Sequence, residues 1–180
     1  HVVDGSTSIA VTIAGRTGTF SASVIGVDPT ADVALIQVHG VSGLPTVKLS
    51  SAQAGEAVVA LGNAQGKGGA PNVTEGTIIA VDQSLTATDD SGQAEQLSGM
   101  LETDAGIVPG DSGGALVDSN GSVVGMITAG SVQGSRFQGT GTGYAVPTSK
   151  AMDIVSRVRA GQAGSDIVLG MSLIHMSEPT

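Results

Sequence analysis

Apolar and polar positions alternate with a period of two from the start of the chain. Ile9, Val11 and Ile13 stand between small or polar residues, and Phe20, Ala22 and Val24 repeat the pattern, so each stretch predicts a strand. Residues 32–38 (DVALIQV), 56–62 (EAVVALG), 73–81 (VTEGTIIAV), 95–104 (EQLSGMLETD), 113–119 (GGALVDS), 121–129 (GSVVGMITA) and 141–147 (GTGYAVP) predict further strands. Ser119, Asn120 and Gly121 fall between two apolar runs and predict a hairpin, because a tight turn needs positive φ. Residues 62–72, 82–96 and 130–143 read as loops. Short strands at this spacing predict an all-β sandwich or barrel.

The period changes once. After Pro147, Thr148 or Ser149 can cap a helix whose apolar face is Ala151, Met152, Val155 and Val158, with Arg157 and Arg159 in the last turn and Gly161 ending it. Beyond Gly161 the pattern decays. Residues 162–170 (QAGSDIVLG) read as a linker or the first strand of a following domain, and residues 171–180 (MSLIHMSEPT) as a tail of doubtful origin that gives His175 no functional weight.

Composition fits this outline. Hydrophobic residues make up 40% of the 180, mostly Val, Ala, Ile and Leu with two Phe, one Tyr and no Trp, enough for a core built on β-branched packing. A net charge of −9 with seven scattered basic residues excludes a nucleic-acid phosphate backbone as partner. The absence of cysteine excludes disulfides and thiolate zinc sites. No apolar run approaches the roughly 18 residues of a membrane span. The chain opens on HVVDG rather than on Met, and so reads as the middle of a longer protein.

The candidate chemistry centres on residues 110–121 (GDSGGALVDSNG). Gly, Asp and Ser together are ordinary turn residues. The same stretch can also present Ser112 as a nucleophile, which then needs a base within hydrogen-bond reach and a group that orients the base. Of three histidines, His175 lies in the tail and His39 follows a strand end in an expected exposed loop, leaving His1. Asp32 stands at the mouth of an apolar run, where a desolvated carboxylate needs a partner. Asp28 precedes Pro29 and reads as a turn residue. Gly110-Asp111-Ser112-Gly113-Gly114 also matches the nucleophile elbow of α/β-hydrolases, but there the serine opens a helix and the histidine comes later, whereas Ser112 leads into a predicted hairpin.

The segments HVVDG, DPTADVALIQV, LETDAGIVPGDSGGALVDSNGSVVGMITA and GTGYAVP, in this order, resemble the HtrA (DegP-like) branch of the trypsin-like serine proteases over about residues 1–160. The resemblance implies an all-β, chymotrypsin-like double β-barrel with a C-terminal helix, its active site between the barrels, and usually a PDZ domain after it. It implies His1 as general base, Asp32 as its orienter and Ser112 as nucleophile, with the N–H groups of Gly110 and Ser112 forming the oxyanion hole. Gly106, Ile107, Thr128, Ala129 and Gly130 would line the pocket for the residue before the scissile bond. With no carboxylate at the expected pocket floor near Gly106, small or medium apolar side chains are favoured over Lys and Arg. Neither a metal nor an organic cofactor is implied.

The chain departs from the family at Asp111, where Asn is usual, at Gly106 and Val108, and in lacking the strands that precede the histidine. The N-terminal barrel is therefore expected to be incomplete, residues 161–180 to lie outside the protease domain, and the 180-residue chain alone to be nearly inactive. The activity expected of the longer protein is that of a serine endopeptidase of protein quality control. It would act outside the cytoplasm on unfolded or exposed polypeptides, as a possible homo-oligomer with an upstream anchor. The alternative is a non-catalytic β-barrel binding module that keeps the motif.

Overall fold

Among the described residues the alternating stretches become ten strands: β1 (Ile9–Thr12), β2 (Thr19–Asp28), β3 (Val33–Val38), β4 (Ala57–Gly62), β5 (Asn72–Thr88), β6 (Ala94–Thr103), β7 (Ala115–Asp118), β8 (Val123–Thr128), β9 (Gly143–Pro147) and β10 (Val168–Leu169). A helix, α1 (Thr148–Arg159), follows β9. The computed structural model describes residues 1–64, 69–88, 94–128, 142–162 and 168–169. The chain divides into two compact units, His1–Thr46 with Asp153–Thr180, and Val47–Met152.

In the first unit β2 is the central strand of an open four-stranded sheet. It pairs antiparallel with β1 (Ile9 opposite Ala22) and with β3 (Asp28 opposite Val33), and a bulge falls between Val24 and Gly26. A single 3-10 turn, Pro29–Ala31, joins β2 to β3. Asp28 is a turn residue here: its Oδ1 accepts the Thr30 hydroxyl at 2.8 Å and the Ala31 N–H at 3.2 Å. The apolar run of β3 is less buried than its composition suggests, since Ile36 and Gln37 are exposed. Val168–Leu169, in the stretch expected as a linker or the start of a following domain, pairs antiparallel with Gly26 and Val27 of β2.

The second unit is a closed barrel in the order β4-β5-β6-β9-β8-β7, with antiparallel neighbours throughout. Closure leaves this sheet without an unpaired edge. Inward-facing residues alternate with outward ones, and Val58, Ala60, Ile78, Leu101, Leu116, Val124, Ile127 and Ala145 fill the interior. No aromatic ring is needed to fill a barrel this small.

Within residues 82–96, expected as a loop, residues 82–88 and 94–96 are strand. β5 and β6 continue as an antiparallel pair in which Leu85 is opposite Leu97 and Thr88 opposite Ala94. Leu85 and Leu97 are buried, but polar neighbours mask the short alternation in the sequence. The β7–β8 turn forms as expected, with Gly121 at φ 77°. Asp118 pins it, its Oδ1 accepting the N–H groups of Asn120 and Ser122, both at 2.8 Å.

The helix ends as its sequence predicts but begins differently. Gly161 is left-handed, its N–H donates to the Val158 carbonyl, and the Gln162 N–H donates to that of Arg157, the Schellman arrangement. At the other end Thr148 is already helical and does not cap: its hydroxyl donates to the Ser50 carbonyl at 2.6 Å. The buried face centres on Ile154 and Val158 rather than on Met152, which is 44% exposed. Several apolar residues compete for the inward stripe, and packing selects among them.

Candidate active site

His1 and Asp32 meet in the first unit. Asp32 ends the 3-10 turn in the left-handed region (φ 54°, ψ 46°), and its N–H donates to the Pro29 carbonyl at 3.0 Å. This conformation is uncommon for a residue with a side chain, and short polar residues tolerate it best. The Asp32 side chain is 8% exposed, and its Oδ1 accepts a bond from the His1 α-amino nitrogen at 2.6 Å. His1 Nδ1 lies 2.8 Å from Asp32 Oδ2. An ionised carboxylate only accepts, so the Nδ1 position carries the proton, and in the neutral ring Nε2 is left with its lone pair. That is the tautomer a general base requires.

The other histidines are elsewhere. His39 is exposed, with its Nε2 2.7 Å from the Ser23 hydroxyl. His175 lies outside the described residues.

Ser112 belongs to the second unit, on a loop from the end of β6 to the start of β7. The loop is tied down at both ends. At its start, Asp104 Oδ1 accepts the Thr77 N–H at 2.6 Å, and the Thr103 hydroxyl donates to the Thr77 carbonyl at 2.9 Å. Gly76 lets this segment approach β5 closely, since a Cβ there would overlap the Ala105 backbone. At its far end the Gly113 N–H donates to the Ile127 carbonyl, and the Ile127 N–H to the Gly114 carbonyl, both at 2.8 Å.

The glycines around Ser112 have different duties. Gly110 and Gly113 are left-handed, at φ 96° and 80°. Gly113 faces open space, so its duty is conformational. Gly114 is needed for proximity: a Cβ there would overlap the Leu61 carbonyl oxygen at the end of β4.

The residues expected to line a pocket lie in this unit as well. Gly106 is exposed. Ile107 packs against the barrel core and lies over Gly143, where a Cβ would overlap its Cδ1. Thr128 is buried at the end of β8, opposite Tyr144 of β9. Ala129 and Gly130 lie outside the described residues. Among the described residues no His, Asp and Glu cluster could hold a metal.

Tyr144 also stands opposite Glu102 of β6. Burial, and secondarily the Glu102 carboxylate, push its hydroxyl above the ordinary tyrosine value of 10.0. Tyr144 is the chain's single tyrosine, so tyrosinate absorbance reads it directly. Its titration midpoint is expected above 10.0 in the folded chain and at the ordinary value in denaturant. The shift favours the protonated form in the fold. Its contribution to stability is complete below the unfolded value and disappears as pH rises through the folded one. A midpoint unchanged by unfolding would contradict this environment.

Sequence reasoning misses Gly62, Gly76 and the Thr103–Asp104 ties. These residues act through neighbours distant in sequence, and a glycine ending an apolar strand gives no local sign of what it must admit.

A family model described as a trypsin-like peptidase domain matches residues 1–126. The chain belongs to the trypsin-like peptidase family. The periplasmic serine endoprotease DegP of Salmonella typhimurium is 40% identical over 88 residues, 47% of this peptidase chain and 18% of DegP. Serine protease PepD of Mycobacterium tuberculosis is 39% identical over 75 residues, 40% of the chain and 15% of PepD. The matched stretches are thus less than a fifth of these curated relatives.

Among solved structures, HtrA-type protease AlgW with a decapeptide superposes with a TM-score of 0.69 at 29% identity, over 90% of this chain and 47% of AlgW. Rv3671c of M. tuberculosis H37Rv, in an inactive form, gives 0.68 at 28% identity, over 92% and 77%. This trypsin-like peptidase is of the HtrA type, and its fold is chymotrypsin-like.

Proposed function

We propose that the chain carries the catalytic machinery of a serine endopeptidase acting on polypeptides, with His1, Asp32 and Ser112 as its triad. The observation that carries this reading is the Asp32 carboxylate 2.8 Å from His1 Nδ1, which keeps Nε2 available as base. In the reaction Ser112 Oγ attacks the scissile carbonyl while His1 Nε2 takes the hydroxyl proton. Asp32 stabilises the imidazolium, and the N–H groups of Gly110 and Ser112 hold the developing oxyanion. The imidazolium then protonates the leaving amine. Water, deprotonated by the same nitrogen, hydrolyses the acyl-enzyme and restores Ser112.

Ile107, beside Gly143, favours a small or medium apolar side chain before the cleaved bond, in a pocket shared with Gly106 and the strand through Thr128. DegP relatives carry the word periplasmic in their names, which supports a setting outside the cytoplasm; a quality-control role is part of the same proposal. Among the described residues no helix is long and apolar enough to cross a membrane. A PDZ domain and homo-oligomer formation in a longer polypeptide belong to the same reading.

A fluorophosphonate probe tests the nucleophile, most stringently in a longer polypeptide containing this chain. Labelling is expected at Ser112 and is expected to vanish in Ser112→Ala. Persistence of the label after that substitution would remove Ser112 from the mechanism and favour the binding-module alternative.

A further inference from the structure

Asp111 sits between the two residues whose N–H groups are read as the oxyanion hole, so whatever holds it sets their direction. Its side chain is 1% exposed. Asp111 Oδ2 accepts the Val108 N–H at 3.0 Å, and the Asp111 N–H donates to the Val108 carbonyl at 3.0 Å. This reciprocal pair closes the turn from 108 to 111. On the other side of Ser112, the Asp111 carbonyl accepts the Gly114 N–H at 2.9 Å. The side chain lies against the end of β4: a Cβ on Gly62 would overlap Asp111 Oδ1 and come within 2.5 Å of its Cβ and 2.6 Å of its Cα. Oδ1 itself is buried with no hydrogen-bond partner among the described residues.

These contacts use Asp111 as an acceptor and not as a charge. One oxygen does the clamping, while the other is desolvated without compensation, which disfavours a carboxylate relative to a neutral amide of the same shape. We infer that Asp111, seated on Gly62, is a positioning residue. Through the Val108 N–H it clamps the 108–111 turn and so aims the Gly110 and Ser112 N–H groups. The clamp needs an acceptor oxygen and no cationic partner. This inference rests on the oxyanion reading proposed above.

The test compares Asp111→Ala, Asp111→Asn and Gly62→Ala. Measurements are peptide-ester kinetics, inhibition by a peptide boronate that mimics the tetrahedral intermediate, and hydrogen exchange of the Val108 amide. In Asp111→Ala, kcat and boronate affinity are expected to fall by about 10²–10³, as for loss of an oxyanion donor. KM should stay within a few-fold, and Val108 protection should be lost. Asp111→Asn is expected to recover most of both losses, and Gly62→Ala to reproduce them by displacing the side chain.

An Asn variant as damaged as the Ala variant would show that charge is required and overturn the inference. So would Val108 protection that survives in Asp111→Ala. All three variants are made in a longer polypeptide containing this chain, where absence of fluorophosphonate labelling at the unsubstituted Ser112 would instead fail the protease reading. Val108 exchange would still decide whether the clamp exists.

Discussion

Asp32→Asn is expected to cut turnover by about 10⁴ with the fold intact, the magnitude seen when a triad histidine is left in the wrong tautomer. Asp32 accepts through both oxygens, one from the nitrogen of residue 1 and one from the Nδ1 side of the ring. An asparagine can satisfy only one of them as an acceptor. If its NH₂ group faces Nδ1, that nitrogen must become the acceptor, and the proton moves to Nε2, where the base is needed. The backbone at Asp32 is left-handed, at φ 54°. Asn tolerates that region, whereas Ala would add strain and confuse a chemical loss with a folding one. Peptide-ester kinetics beside a thermal melt separate the two effects. Less than a tenfold loss would exclude Asp32 as the orienter of His1.

Gly114→Ala should produce the largest structural loss of any single methyl addition near Ser112. The new Cβ would overlap the Leu61 carbonyl oxygen and lie 2.7 Å from the Asp111 carbonyl oxygen and 3.1 Å from Gly62 Cα. All three are backbone atoms, so no side chain can swing away. Overpacking of this kind costs about 1–3 kcal/mol, and more where nothing yields. The strain falls on Gly114 and on Asp111, one on either side of Ser112, so labelling of Ser112 should disappear along with the stability. Gly113→Ala is the informative contrast. It meets nothing within 4 Å but sits at φ 80°, and it should lose only about 1–2 kcal/mol of backbone strain. Differential scanning calorimetry of the pair decides the matter. A Gly114→Ala chain that melts at the parent temperature would mean that the loop does not lie against β4 as described.

The strands and their order were largely legible because alternation is a local property. Each of β1 to β9 begins within a few residues of a predicted one, and the β7–β8 turn follows from Asn120 and Gly121. The misses occur where neighbours decide. The continuation of β5 through Leu85 looks like a polar loop until Leu97 is brought opposite it. The inward face of α1 could have been any of several apolar stripes, and it is Ile154 and Val158 that are buried. Thr148 looked like a cap, but the carbonyl of Ser50 drew its hydroxyl away.

The same division runs through the candidate site. Sequence alone determined which groups are present and in what chain order: a histidine, an aspartate at a strand mouth, and a serine set among glycines, all chemical properties of single residues. Tertiary structure decided their working state. The turn after Pro29 carries Asp32 to the nitrogen and ring of His1, and that contact selects the tautomer. The pairing of Leu61 with Ala115 brings the end of β4 beneath the loop, which is why Gly62 and Gly114 must lack side chains and why Asp111 is buried. Alternation and turn chemistry act between adjacent residues and can be read along a chain. Register and close approach act between strands far apart in sequence, and they exist only once the barrel has closed.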